Sequence, residues 1–168
     1  MPSTRAESAD SRLRFRRSLG LYASGLTVIT TEAGGDRFGA TCQAFHSVSL
    51  DPPLVSVALS AGSGTVAAIR LACRFAVHVL AIDQEHLSRR FGHPGTDRWR
   101  GLITDRTPAG LPRLPGALLT LDCSVAADHP AGDHALLLGR VDWLDATESV
   151  EARPLLFHRG DYHSLATR

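Results

Sequence analysis

The run from Arg37 to Pro53, RFGATCQAFHSVSLDPP, limits the possible folds more than any other part of the chain. It opens with the alternation of a strand, passes through small and polar side chains, and closes on adjacent prolines. Proline lacks an N–H and fixes φ, so Pro52 and Pro53 predict the end of any strand or helix there. The polar side chains are too many and too regular for a strand buried on both faces. A regular strand would point Thr41, Gln43, Phe45 and Ser47 one way, and Cys42, Ala44 and His46 the other.

The flanking segments carry the same two-residue period. Gly25 to Glu32, GLTVITTE, is β-branched and predicts a strand. Ala33-Gly34-Gly35-Asp36 predicts a turn returning the chain antiparallel from Arg37. Leu54 to Ser60 and Arg74 to Leu80 predict two further strands. Between them lie a flexible loop, Ala61 to Gly64, and a short helix, Thr65 to Ala72. His78 falls inside the second strand and reads as a structural histidine. Ala117, Leu119, Leu121, Cys123 and Val125 alternate along one strand, and Ala135, Leu137, Gly139, Val141 and Trp143 along the next. The link DHPAGD turns the chain between them, and Leu155 to Phe157 adds a final short strand. Helical spacing predicts a first helix from about Ser11 to Tyr22, with Phe15, Leu19 and Tyr22 on one face. A second covers Asp83 to Phe91, with Asp83 as a cap. Residues 1–12 read as a loose tail and 13–168 as one domain. From Gly92 to Gly116 there is no period; Pro94, Pro108, Pro112 and Pro115 predict a long surface excursion anchored by Trp99, Leu102 and Leu111. Six or seven short strands with few helices predict a mainly β fold, a small closed or nearly closed barrel.

Charge and composition exclude some function classes. Basic and acidic residues balance at a net charge of +1 with no basic stripe, which disfavours a nucleic-acid partner. No apolar run is long enough for a membrane span, and the first residues lack the apolar core of a signal peptide. Cys42, Cys73 and Cys123 form no CxxC pair and leave one over from any disulfide, so a reducing, cytoplasmic compartment is expected.

Three constellations carry possible chemistry. His129 and His134, beside Asp128 and Asp133, have no standard metal-ligand spacing, so no metal site is expected. Hydrolysis has no GxSxG elbow, and a Cys42–His46 pair sits too far apart on a regular strand. The third uses the organising run. Small side chains and backbone N–H groups there suit a flat polar heterocycle, and the Ser60 to Thr65 turn suits its phosphate; a simple serine cap is the competing reading of that turn. A flavin has that shape and polarity. There is no GxGxxG motif, so the route is not a Rossmann domain.

GLTVITT, GATCQAFHSVSLDPPLVSVAL, RFAVHVL followed by Gln84, Leu87 and Phe91, and Asp133-His134 with Gly139-Arg140-Val141 together resemble the flavin reductase-like family. The resemblance runs from about Phe15 to Tyr162. It implies an FMN-binding split β-barrel with a few short helices, a homodimer, and reduction of FMN or FAD by NADH or NADPH. It also implies a separate flavin-dependent monooxygenase that receives the reduced flavin. Thr41, Cys42, Gln43 and Ala44 match the segment that lines the flavin ring and ribityl chain, and Ser47 and Ser49 match its serines. Ser60, Ser63 and Thr65 match the phosphate segment. Phe91, which closes the helix motif, is counted with the cofactor-binding residues, as are His158 and Tyr162 in the C-terminal segment. His134 matches a histidine on the nicotinamide side, with His129 as the alternative because DHPAGDH contains the pair twice. Many members carry Asn where Gln43 stands. Hydride transfer between two bound rings needs orientation and donors more than a proton carrier, so no single indispensable catalytic side chain is expected. Two other readings stay open: a flavoprotein that retains its flavin and acts on its own substrate, and a non-catalytic flavin-binding module.

Overall fold

The computed structural model describes residues 4–93, 95 and 97–165. After β1 (Ser24–Gly25), the first hairpin is set by two glycines. Gly34 at φ 63 and Gly35 at φ 89 both take positive φ, as a two-residue turn between twisted strands requires. They join β2 (Thr27–Ala33) to β3 (Asp36–Cys42), in register from Thr27↔Cys42 to Ala33↔Asp36. This is the expected hairpin.

The expected single strand after it is two. β3 stops at Cys42, and β4 (Phe45–Leu50) begins after a break at Gln43-Ala44. The strand does end at the prolines, as expected: β4 stops at Leu50 and the chain turns directly into the next strand. Asp51-Pro52 is a cis peptide at a tight turn, and Pro53 opens β5 (Pro53–Ser60), where the first position of a strand tolerates proline. Next come α2 (Gly64–Ala72) and β6 (Arg74–Val79), then a 3-10 turn (Ile82–Gln84) that runs into α3 (Glu85–Gly92). Asp83 therefore lies inside the turn and is not a cap. Instead the side chain of Gln84 accepts from the Ala81 N–H at 3.0 Å.

Two long strands, β9 (Leu119–Ala131) and β10 (His134–Ala146), follow a small hairpin of β7 (Asp105–Arg106) and β8 (Pro112–Arg113). The chain finishes with β11 (Leu156–His158) and β12 (Asp161–His163). The main sheet has seven strands in the order β3-β2-β6-β9-β10-β5-β4, with every neighbour antiparallel. Consecutive strands β3 and β4 thus form opposite edges of one curled sheet. The chain carries them past each other at Gln43-Ala44, where the Ala58 N–H donates to the Ala44 carbonyl at 3.0 Å. The barrel is split at this corner.

The curled sheet has a core on each face. Inside are Ile29, Val57, Phe75, Val77 and Leu137, with α2 closing the barrel through Val66 and Ile69. Outside, Val28, Leu80 and Leu114 pack with Leu87 and Phe91 of α3. The excursion covers this outer face. Trp99 and Leu102 pack on the outer core and Leu111 is buried, as expected. Polar stitches hold it down: Thr30 Oγ1 donates to the Pro112 carbonyl at 2.6 Å, and the Ala109 N–H to Asp122 at 3.0 Å. Pro94, expected in the excursion, lies outside the described residues.

The first helix, α1, spans Thr4–Leu19. It starts earlier than the expected Ser11 and ends before Tyr22, so the expected tail is helical from Thr4; residues 1–3 lie outside the described residues. Thr4 to Asp10 holds helix-compatible Arg, Ala and Glu and neither Gly nor Pro. The apolar face of α1 is uncovered: Leu13, Phe15 and Leu19 are exposed, with Leu21 and Tyr22 just beyond. No helix among the described residues is long and apolar enough to cross a membrane.

Candidate functional site

The break at Gln43-Ala44 resets the side-chain alternation. In an unbroken strand Cys42 and Phe45 would face opposite ways; here both pack on the inner core. Gln43 and Ala44 are left exposed on the split corner between two sheet edges. Cys42 is 3 % exposed, and its thiol lies near the carbonyls of Ala44 and Ala58, at 3.5 and 3.4 Å. Burial pushes this thiol up to about 11. The Cys42 side chain is therefore a core group, and its backbone borders the corner. His46 is exposed while Cys42 is buried, so the pair that hydrolysis would need is absent. Ser47 and Ser49 follow on β4, paired with Val55 and Leu54 of β5.

Next to the corner, β5 ends at Ser60. Its register partner on β10 is His134, and the Ala61 N–H donates to the Asp133 carbonyl at 3.0 Å. The residues expected at the phosphate and at the nicotinamide are thus neighbours. His134 Nδ1 lies 2.7 Å from Asp133 Oδ1, and this bond holds the Asp133 carboxyl below the usual carboxylate range. Ser63 caps α2: its Oγ accepts from the Val66 N–H at 3.2 Å. The cap reading thus holds for Ser63, while Ser60, Gly62 and Gly64 are exposed. Thr65 is 2 % exposed, so its hydroxyl is not presented to solvent. No acidic residue stands in the first turn of α2 to repel an anion.

His129 sits within β9, opposite Leu136, not in a linker. Its neighbour Asp128 is taken by Arg70 of α2 at 2.7 Å, which holds that carboxyl low. Among the described residues no cluster of three or more His, Cys, Asp or Glu could hold a metal ion.

The remaining expected residues lie around α3. Phe91 is 1 % exposed and stacks edge-on with Trp99 at 5.1 Å, so its side chain belongs to the outer core. A Cβ at Gly39 would come within 2.6 Å of its ring, which is why β3 carries glycine there. Tyr162 is half-buried, and its ring lies edge-on to Phe157 at 5.2 Å. The Arg89 guanidinium lies over that ring at 4.6 Å. His158 of β11 lies edge-on to His163 of β12 at 5.8 Å between ring centroids. Ser88, which sequence reasoning passed over, connects this group to the corner. Its carbonyl accepts from Thr41 Oγ1 at 2.7 Å, and its Oγ lies 3.1 Å from Tyr162 Oη. The signal was a small hydroxyl on the buried face of a helix, one turn before Phe91.

Two cavities lie elsewhere, under the excursion at the β2–β3 turn, and share Glu32 and Gly35. Neither contains an expected site residue, and Arg106 meets Glu32 across the first at 2.9 Å. The split corner is an open surface in the single chain. Its exposed amide and backbone, flanked by serine and histidine and free of buried charge, fit a flavin ring edge and phosphate.

The chain matches the model of the flavin reductase like domain over residues 19–166 and belongs to that family. It is an oxidoreductase that reduces flavin, FMN or FAD, with NAD(P)H. It is 43% identical over 160 residues to the flavin-dependent monooxygenase reductase subunit HsaB of Rhodococcus jostii, covering 95% of this chain and 80% of that protein. An NADH-dependent flavin reductase from a Rhodococcus species is 41% identical over 158 residues, covering 91% and 86%. Nitrilotriacetate monooxygenase component B from Mycobacterium thermoresistibile superposes with a TM-score of 0.90 at 38% identity, covering 95% of this chain and 89% of that one.

Proposed function

We propose that this chain takes its reducing equivalents from NADH, holds the flavin against the Thr41–Ala44 corner, and supplies reduced flavin to a separate flavin-dependent monooxygenase. The observation that carries the site is the break at Gln43-Ala44, which exposes polar backbone and an amide beside the Ser60–His134 pair. Gln43 and the backbone of Thr41 to Ala44 hold the ring. Ser60 and the N–H groups of Gly62 and Gly64 hold the phosphate; the Ser63 N–H is taken by the Ser60 carbonyl at 3.0 Å. Ser47 and Ser49 border the ribityl side. His134, fixed by Asp133, orients the nicotinamide; it stands beside Ser60, whereas His129 does not. The bound flavin supplies the hydride acceptor, and the chain supplies position and donors.

The NADH preference and the oxygenase partner follow the names of the two relatives above. A second copy of the chain supplies the missing wall of the open corner. Supporting this are the uncovered Phe15 and Leu19 of α1 and the exposed Val48 and Leu50 of the edge strand β4. The free cysteines suit a cytoplasmic setting.

Stopped-flow reduction at saturating flavin tests the assignment of His134. His134→Ala is expected to weaken the dependence on nicotinamide concentration while leaving flavin affinity near the parent value. An unchanged nicotinamide dependence sinks it. Ser60→Ala is expected to weaken FMN binding more than riboflavin binding, because riboflavin has no phosphate.

A further inference from the structure

Among the described residues, four buried side-chain nitrogen or oxygen atoms have no hydrogen-bond partner, and three of them belong to one face of the main sheet: Glu32 Oε2, His78 Nε2 and Asp122 Oδ1. The ladders place them there. Thr30 stands opposite Ala76 and Ala76 opposite Asp122, while Val28 stands opposite His78 and His78 opposite Thr120. Strand alternation then puts Glu32 of β2, His78 of β6 and Asp122 of β9 on the outer side, beneath the excursion. Glu32 lies at the margin, where Arg106 comes within 2.9 Å. His78 and Asp122 are enclosed, at 0 % and 1 % exposure.

Both enclosed atoms are acceptors that lack a donor. The Val28 carbonyl can only accept, so His78 Nδ1, 3.1 Å away, carries the proton of the neutral ring, and Nε2 keeps a lone pair. Asp122 Oδ2 takes the Ala109 N–H at 3.0 Å, which leaves Oδ1 without a donor. Buried acceptors are costly to leave in that state. Water is the small molecule that brings two O–H donors to two acceptors. A cation is disfavoured in the same place: burial and the Arg113 charge together keep His78 from taking up a proton. Ala76, opposite Asp122 and two residues from His78, contributes only a methyl group, so this part of the face has room. Thr120, opposite His78 and 2 % exposed, offers a hydroxyl to the water oxygen. Ala109, the donor to Asp122, also lines a cavity with Glu32, Arg74 and Leu111, which gives water a way in.

We propose that the excursion docks on the sheet through an internal water site, in which enclosed water donates to Asp122 Oδ1 and to His78 Nε2. The site is independent of the ligand that the split corner takes.

The test uses the unaltered protein, so no substitution can confuse it by unfolding. In a crystal structure that shows ordered water, an enclosed water is expected within about 3.2 Å of Asp122 Oδ1, and the same water or one bonded to it within that reach of His78 Nε2. A dry seam, an ion in place of the water, or a direct hydrogen bond between Asp122 and His78 overturns the proposal. Nitrogen NMR of the imidazole gives the second readout, in solution at neutral pH. His78 is expected to carry its proton on Nδ1, with the Nε2 resonance shifted as that of a hydrogen-bonded acceptor. Magnetisation transfer from water to the His78 ring protons is expected to have the sign of a long-lived internal water. A proton on Nε2, or no transfer from water, overturns the proposal.

Discussion

His78 is wholly buried on the outer face of the sheet, with Nδ1 at 3.1 Å from the Val28 carbonyl and, among the described residues, no partner for Nε2. Burial first, then the nearby Arg113 charge, push its imidazole down to about 4. The folded protein therefore keeps His78 neutral, whereas the unfolded chain takes up a proton below the ordinary value of 6.5. Stability from this group is full above pH 6.5 and is lost as the pH falls toward 4, by about 2 kcal/mol between pH 7.5 and 5. Urea unfolding at those two pH values is expected to show a smaller loss in His78→Gln than in the parent. Cysteine reactivity gives a second check. Cys42 and Cys123 are buried, with thiols pushed up to about 11 and about 12, whereas Cys73 is exposed. Labelling of the native protein with a thiol reagent at pH 8 is expected to modify Cys73 fast and the other two only on unfolding. The sequence shows His78 in a strand and Cys123 in an apolar alternation, and both roles follow. The orphaned Nε2 is not legible there, because satisfaction depends on residues distant along the chain.

At the level of elements, the approach of α3 to β3 depends on Gly39. A methyl there meets the Phe91 ring at 2.6 Å. Gly39→Ala is expected to destabilise the fold by about 1–3 kcal/mol, read by thermal or urea unfolding, and Gly39→Ala with Phe91→Leu to recover part of the loss. The hairpin of β2 and β3 is legible from two glycines between β-branched runs. The break at Gln43-Ala44 is not, because small and polar residues continue the two-residue pattern through it. Only the pairing of β3 with β2 and of β4 with β5 forces the chain to turn there. That pairing puts the Cys42 side chain in the core and leaves Gln43 as the exposed group. The burial of Phe91 is hidden for a related reason: a motif gives its place on a helix but not which surface the helix covers.

Across the whole molecule, the split barrel carries a core on each face, and the excursion over the outer face supplies what no period in its sequence announces. Trp99, Leu102 and Leu111 are single anchors in an irregular segment, legible as apolar residues but not as a layer. The uncovered side of the molecule is α1 with the β4 edge. Light scattering is expected to give twice the 18.0 kDa mass of the chain, and Phe15→Glu with Leu50→Glu to shift the protein toward the monomer and weaken flavin binding at the open corner. The most direct test of the functional account is consumption of NADH or NADPH, followed at 340 nm, with FMN, FAD or riboflavin added in turn. The account predicts oxidation of NADH that depends on added flavin and saturates with it. No consumption of either nucleotide with any of the three flavins would contradict it.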